Sequence, residues 1–540
     1  MQQFSRLASG FSSPAILIVV IWCSVFACVA IGPIDYPGQP SSTVLVIVAA
    51  GLSLFILGHG AGAWCFGRWF APQANVSAPS LRSLNSVVIA TSLIGIGGIG
   101  MIAFDRGVLS GISNSGYAEL LRCAPGLVDL IEIRRTPLLY IGYLTFSFGF
   151  ASLALFLLKG EEIRGWAAIA AQLSIVCPVG YALLYSGRMP ILFVLILIVS
   201  IMLVRISQGR PSLPRGHYLL LKTVVLVLLF AIYSSAIWSR RSNFCVQMSG
   251  VIQELEQRKA GRDTEDAEAR REPEPNMQAP VGDRARRPPP PGSIQATDVS
   301  KMVIDATRTA SETTAPPAAA PTPTTVVAPA VNSTEALLAV MRESWNVQPR
   351  AYVLSAIDSG RLSSRAAITF LSTYFYLTHG IRAADNTWHA REKLSPQWGL
   401  YEVGILSPIL RVFRPDDQRV ADMEAQLKDA GIYGFFPTVW AAAYIDFGIV
   451  GGIIYILIWG FVGGWSSAGA RRSALVTPLL LLVFILASIV LSPVQGPFGI
   501  ANSVLVLFSM IVTGATIDFM RMRDYSRHAS RQLKLGRSVS

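Results

Sequence analysis

The stretch Gly434-Phe-Phe-Pro-Thr-Val-Trp-Ala-Ala-Ala-Tyr-Ile-Asp-Phe-Gly-Ile-Val-Gly-Gly-Ile-Ile-Tyr-Ile-Leu-Ile-Trp-Gly-Phe-Val-Gly-Gly-Trp465 decides the fold. Its apolar run is long enough to cross the hydrocarbon core of a bilayer. One carboxylate, Asp446, stands well inside it, where an ionisable group is costly and needs a cavity or a partner. The glycines at 448, 451, 452, 460, 463 and 464 take away side-chain bulk and let neighbouring helices come close. Asp446 therefore has two readings, a packing group satisfied by a neighbouring helix or a functional group.

Outward from this stretch the same pattern repeats. Apolar blocks near the length of a membrane span cover residues 14–31, 44–64, 84–104, 137–158, 166–185, 191–204 and 219–238 before it, and 475–491 and 501–519 after it. The chain is 52% hydrophobic and only 14% charged, outside the range of an ordinary soluble domain. The reading is an all-α, polytopic membrane protein with about ten transmembrane helices and a large outer-face loop segment.

The net charge of +12 fits loops facing the cytoplasm and anionic headgroups rather than nucleic acid, for which no motif is present. Lys and Arg recur in alternate short loops: Arg68 and Arg82, Lys159 and Arg164, Arg205 with Arg210 and Arg215, and Arg471 with Arg472. The positive-inside rule then places both termini in the cytoplasm, with loop 105–136 and the long segment 239–433 outside. The domain order is a bundle of about seven spans at 1–238, an insert at 239–332, a folded outer segment at 333–433, a three-span bundle at 434–520 and a basic tail at 521–540. The insert is rich in Ala, Pro, Thr and charge and buries too little apolar surface to order itself, so disorder is expected there. Residues 366–377 are apolar and aromatic but short, suited to a helix in the interface.

Chemistry-bearing residues gather on the outer side. Arg188 sits in a tight turn between two spans, Arg240 and Arg241 follow the seventh span, and Arg382 follows an aromatic run that includes Tyr374. Guanidinium forks match phosphate oxygens, although any boundary arginine can also reach lipid headgroups. His379 and His389 lie in the same stretch as Arg382, and a histidine there suits a general base. Aromatic residues from Tyr374 to Trp398 and Tyr401 suit either sugar stacking or an interfacial belt. Two histidines ten residues apart with one Asp between them do not make a zinc site, and the six cysteines form no C-x-x-C pair, so no metal is expected. No P-loop or dinucleotide fingerprint is present, and no cofactor is expected.

Three motifs carry a resemblance. Tyr185-Ser-Gly-Arg-Met-Pro190 opens an apolar helix. Phe370-Leu-Ser-Thr-Tyr-Phe-Tyr-Leu-Thr-His-Gly380 is followed by Leu410-Arg-Val-Phe413. Phe436-Pro-Thr-Val-Trp440 leads to Tyr444-Ile-Asp-Phe-Gly448 and a glycine-rich helix. In this order they resemble the bacterial O-antigen/oligosaccharide repeat-unit polymerases (Wzy-type), while the insert departs from that family's compact outer loop. The resemblance implies a GT-C-like fold and a metal-independent glycosyltransferase working at the outer face of the bacterial inner membrane. Such an enzyme moves a glycan from undecaprenyl pyrophosphate onto a new lipid-linked repeat unit, alongside a flippase and a chain-length regulator of the same pathway. On that reading Arg188 and Arg382 bind pyrophosphate, and Arg240, Arg241 and Tyr374 contact the substrate. His379 or His389 is the base. Asp446 orients an arginine or acts as a base itself. The alternatives are an O-antigen ligase-like enzyme, which uses the same donor with a lipid acceptor, and a non-enzymatic component of polysaccharide export. A transporter fits less well, because it would string ionisable groups through several spans.

Overall fold

The computed structural model describes residues 10–69, 81–109, 131–233, 347–432 and 437–537, apart from short gaps within those ranges, with residues 294–295 and a few between 338 and 342. The insert at 239–332, apart from 294–295, lies outside the described residues.

The first spans are α1 (Pro14–Ile31), α2 (Ser42–Trp69) and α3 (Leu81–Phe104). The fourth span is two helices, α4 (Pro137–Phe146) and α5 (Phe148–Lys159), and so is the fifth, α6 (Trp166–Leu173) and α7 (Val176–Leu184). α8 (Met189–Ser207) and α9 (Leu221–Tyr233) follow. After the cap, described below, come α13 (Val439–Arg472), α14 (Val476–Leu491) and α15 (Ser503–Arg537). Among the described residues eight helical segments are long and apolar enough to cross a membrane, which makes this a multi-pass membrane protein. The seventh and ninth expected spans appear as the shorter apolar helices α9 and α14. α14 is nearly all buried and packs against α1, α8, α13 and α15, so protein surrounds most of it and bilayer thickness alone does not set its length.

The interface of α2 with α13 is built on four glycines. A Cβ on Gly58 or Gly62 would strike the backbone of Leu457 or Phe461, and one on Gly460 or Gly464 would strike that of Phe55 or His59. Each helix thus presents a G-x-x-x-G face to the other, which lets the backbones touch where lipid gives helices no hydrophobic reason to associate. Beside the crossing runs an aromatic ladder. Trp22 of α1 lies 5.5 Å from Trp440, Trp440 lies 6.4 Å from Trp459, and Trp459 lies 4.7 Å from Phe55. Two of these indoles donate to serines of α14 and its C-terminal cap, Trp459 to Ser488 and Trp22 to Ser492, each at 3.0 Å.

The two ends of the bundle differ. At the basic end, the fully buried Arg205 pairs with Glu161 and donates to the carbonyls of Leu158 (2.7 Å) and Pro211 (2.8 Å), tying α8 to the end of α5. Asp518 caps α14 there by accepting from the N–H groups of Val476 (2.8 Å) and Thr477 (2.9 Å). The opposite end is covered by residues 347–432. This cap holds α10 (Ala351–Asp358), α11 (Ser364–His389) and α12 (Arg419–Asp429). α11 corrects the expectation of a short helix at 366–377: it starts at the Ser363 cap and runs 26 residues, carrying His379, Arg382 and His389 with it.

The crossing gives a sharp test. Gly62→Ala should destabilise the protein by roughly 1–3 kcal/mol or more, since it overpacks a backbone contact. Gly60→Ala, on the same helix with open space before it, should be close to neutral. Denaturant titration of the detergent-solubilised protein distinguishes the two, and equal effects would remove the close crossing.

Candidate functional site

The cap is fastened to the bundle by backbone groups and by one stripe of α11. A two-residue strand, Ile34–Asp35, pairs antiparallel with Gln348–Pro349. Arg350 then reaches back, its N–H to Pro33 O (2.9 Å) and its Nη2 to Ala30 O (2.6 Å). Along α11, positions 374, 378, 382 and 385 share a face. The Tyr374 hydroxyl donates to Cys28 O at the end of α1 (2.6 Å). Thr378 gives its hydroxyl proton to Tyr374 O (2.8 Å), so Tyr36 must be the donor in the 2.5 Å bond between Tyr36 and Thr378. Burial pushes the Tyr36 phenol up to about 12, against the Thr378 bond and the Arg382 cation, which keeps it protonated. Asp385 accepts from Ser41 N (3.0 Å) and Ser41 Oγ (2.5 Å) at the start of α2.

Arg382 lies between these anchors. Its Nη1 is buried and has no hydrogen-bond partner among the described residues. The neighbouring Gly380 lies against the backbone oxygen of Pro493, in the turn between α14 and α15, and against Thr438, which caps α13 through Ala441 N (3.4 Å). His379 is 4% exposed and stacks on Phe375 at 5.2 Å. Its Nδ1 faces the carbonyls of Phe375 (3.1 Å) and Tyr376 (3.0 Å), which can only accept, so Nδ1 carries the proton and Nε2 the lone pair. Burial lowers its pKa and keeps the ring neutral. His389 is exposed, and its Nδ1 donates to Asp385 O (2.8 Å). Ten residues of helix, about 15 Å of rise, separate the two histidines.

The second half of the site is a break in α13. Gly448 has φ 64° and ψ −165°, a conformation open to glycine and strained for other residues. The break frees the carbonyls just before it from the helical ladder. A loop of the cap supplies what is missing: Gln397 N–H donates to Ile445 O (3.0 Å) and Trp398 N–H to Asp446 O (2.7 Å). The Asp446 side chain completes the joint. It is fully buried, with Oδ1 accepting from Gly399 N (3.1 Å) and Tyr401 N (3.0 Å), and Oδ2 from Glu402 N (2.9 Å). Two successive left-handed residues, Trp398 (φ 54°) and Gly399 (φ 88°), turn the loop so that these amides converge.

Glu402 is the residue that reading the sequence missed. It is 2% exposed and accepts from the Tyr455 hydroxyl at Oε2 (2.5 Å). Its Oε1 presses against Gly496 and has no hydrogen-bond partner among the described residues. Burial, with the Asp446 charge adding to it against the Tyr455 bond, raises its pKa from the ordinary 4.5 to about 8. The one local signal was an acid in the glycine- and aromatic-rich run Trp398-Gly-Leu-Tyr-Glu-Val-Gly404.

The expected site residues thus separate. His379 and Arg382 come together on α11 above the turn at Pro493. Tyr374, expected at the substrate, anchors α11 to α1 through its hydroxyl, and His389 is an exposed group bonded to its own helix. Asp446, expected to orient an arginine or to act as a base, holds three backbone amides. Arg188 stands half-buried before α8, three residues after Tyr185. Tyr185 belongs to another polar group at the same end, bonded to Tyr143 and to Arg106 Nε (3.3 Å). Arg240 and Arg241 lie outside the described residues. No family model, curated protein or solved structure matches the chain.

The folded protein holds a proton on Glu402 that the unfolded chain releases above its ordinary pKa. Stability from this group is therefore complete below about pH 4.5 and is lost as pH rises through about 8. Thermal unfolding should show the wild type losing stability between about pH 4.5 and about pH 8, with Glu402→Gln showing a flatter profile. Parallel profiles would mean that Glu402 does not titrate in the fold.

Proposed function

We propose that this chain is a glycosyltransferase of the bacterial outer-face type, GT-C-like in architecture. It polymerises lipid-linked oligosaccharide repeat units into O-antigen, capsule or exopolysaccharide. The capped end faces away from the cytoplasm and the basic end faces it, which matches the charge of the loops. The observation that carries the reading is Arg382: a buried guanidinium nitrogen with no hydrogen-bond partner among the described residues, at the membrane boundary of the capped end, beside a neutral histidine. A cation left unsatisfied in this way is expensive unless an anion completes it.

In the reaction the acceptor hydroxyl oxygen bonds to the anomeric carbon of the donor glycan as the bond from that carbon to the pyrophosphate oxygen breaks. His379 takes the hydroxyl proton at Nε2, and undecaprenyl pyrophosphate leaves with its charge held by Arg382, with Arg188 on the second polar group. Trp398 supports the glycan. It is 75% exposed although its backbone is held left-handed, and an exposed indole on a fixed turn is a stacking surface for a sugar ring. Flippase and chain-length regulator are the partners this chemistry needs, and no nucleotide or metal enters it.

Polymer length in a strain lacking the chain tests this, with complementation by wild type, Arg382→Ala or Arg188→Ala at matched membrane levels. The expected result is single repeat units in the null strain and a loss of long chains of about a hundredfold or more with Arg382→Ala, the range seen when one donor to a developing oxyanion is removed. Long polymer that persists but stays unattached to its final acceptor would make the chain a ligase. Variants that restore full-length polymer would remove the arginines from the site.

A further inference from the structure

The basic end holds a cavity of about 550 Å³ between the ends of α5, α8, α13 and α14. Three cations line it, Lys159, Arg210 and Arg471, and no acidic residue does among the described residues. Lys159 is paired with Glu162 at 3.1 Å. Arg205, close by in sequence, is spent on Glu161 and backbone carbonyls. Arg210 and Arg471 make no side-chain hydrogen bond or ion pair among the described residues, although the charge of Arg210 is felt by the Glu161 carboxylate. Gln208 crosses from the end of α8 to Ala470 O of α13 at 3.5 Å. The buried part of the lining is Val204, Leu479 and Leu482 together with Ser12, and Ser207 and Gln208 add polar groups nearer the mouth.

Basic residues at helix C-termini offset the helix dipole, and that alone needs no cavity. Here two arginines that make no side-chain hydrogen bond or ion pair among the described residues border a space that leucines also line. The charged mouth suits a phosphate oxygen cluster, and the leucines suit the hydrocarbon that begins where such a headgroup ends. An inorganic anion would leave the leucines uncovered. We infer that this cavity is a binding site for an anionic glycerophospholipid of the leaflet at the basic end, its phosphodiester held by Arg210 and Arg471 and the first part of an acyl chain lying against Leu479 and Leu482. Basic pockets between transmembrane helices take anionic lipid headgroups for the same physical reason. The site is remote from the cap and does not rest on the function proposed above.

Native mass spectrometry of the purified full chain, titrated with phosphatidylglycerol, phosphatidylcholine or inorganic phosphate, tests the assignment. Phosphatidylglycerol should be retained one to one in preference to phosphatidylcholine. Arg210→Gln with Arg471→Gln should weaken its retention about tenfold or more. Ala474→Trp, which fills the mouth without changing charge, should do the same, and Arg164→Gln, exposed at the same end but away from the cavity, should leave retention intact. Equal retention of phosphatidylcholine, or unchanged retention in both the double variant and Ala474→Trp, would overturn the site. Thermal stabilisation by inorganic phosphate alone, equal to that by phosphatidylglycerol, would overturn the lipid assignment.

Discussion

The structure depends on one joint, where the Asp446 carboxylate gathers the amides of Gly399, Tyr401 and Glu402 at the break in α13. A buried carboxylate is tolerable only with partners, and hydrogen bonds to a charged group contribute about 1.5–3 kcal/mol each. Three such bonds let a charged side chain sit about 10 Å along a membrane helix from its start. The exchange is mutual. Gly448 opens the helix, the freed carbonyls of Ile445 and Asp446 need donors, and residues 397 and 398 of the cap supply them. Break and loop therefore satisfy each other, and neither is stable with its polar groups orphaned.

This joint places the rest of the site. Holding residues 397–402 against α13 puts Glu402 under Tyr455 and against Gly496, in the turn between α14 and α15. The same turn receives Gly380 of α11 through Pro493. α11 is tied on its other face to α1 and α2 through Tyr374, Thr378 and Asp385. Arg382 and His379 are thus carried on a helix fixed on both sides. Beneath them the α2–α13 crossing is rigid because it is backbone on backbone, so the break in α13 is displayed from a firm support.

The membrane spans were legible because an apolar run of about twenty residues has few other uses. What the pattern could not give was the length of α11. Hydrophobicity falls away after Leu377, yet the helix continues, because Thr378, Arg382 and Asp385 are polar for contacts with Tyr36 and Ser41, more than three hundred residues distant in sequence. Asp446 stood out as an anomaly, but its partners did not, since they are backbone amides of a loop more than forty residues away and leave no side-chain signature. Gly448 was visible among packing glycines. That it breaks the helix follows only from its positive φ. Glu402 escaped notice because a lone acid in a soluble-looking segment is ordinary until burial makes it costly.

The most direct measurement is amide hydrogen exchange of residues 397–402 in the detergent-solubilised protein, beside Asp446→Ala. If the joint organises the structure, Gly399, Tyr401 and Glu402 are strongly protected in the wild type and exchange like an open loop in the variant, while the α2–α13 crossing keeps its protection. Rapid exchange of these amides in the wild type, or protection that survives the loss of the Asp446 carboxylate, would contradict it.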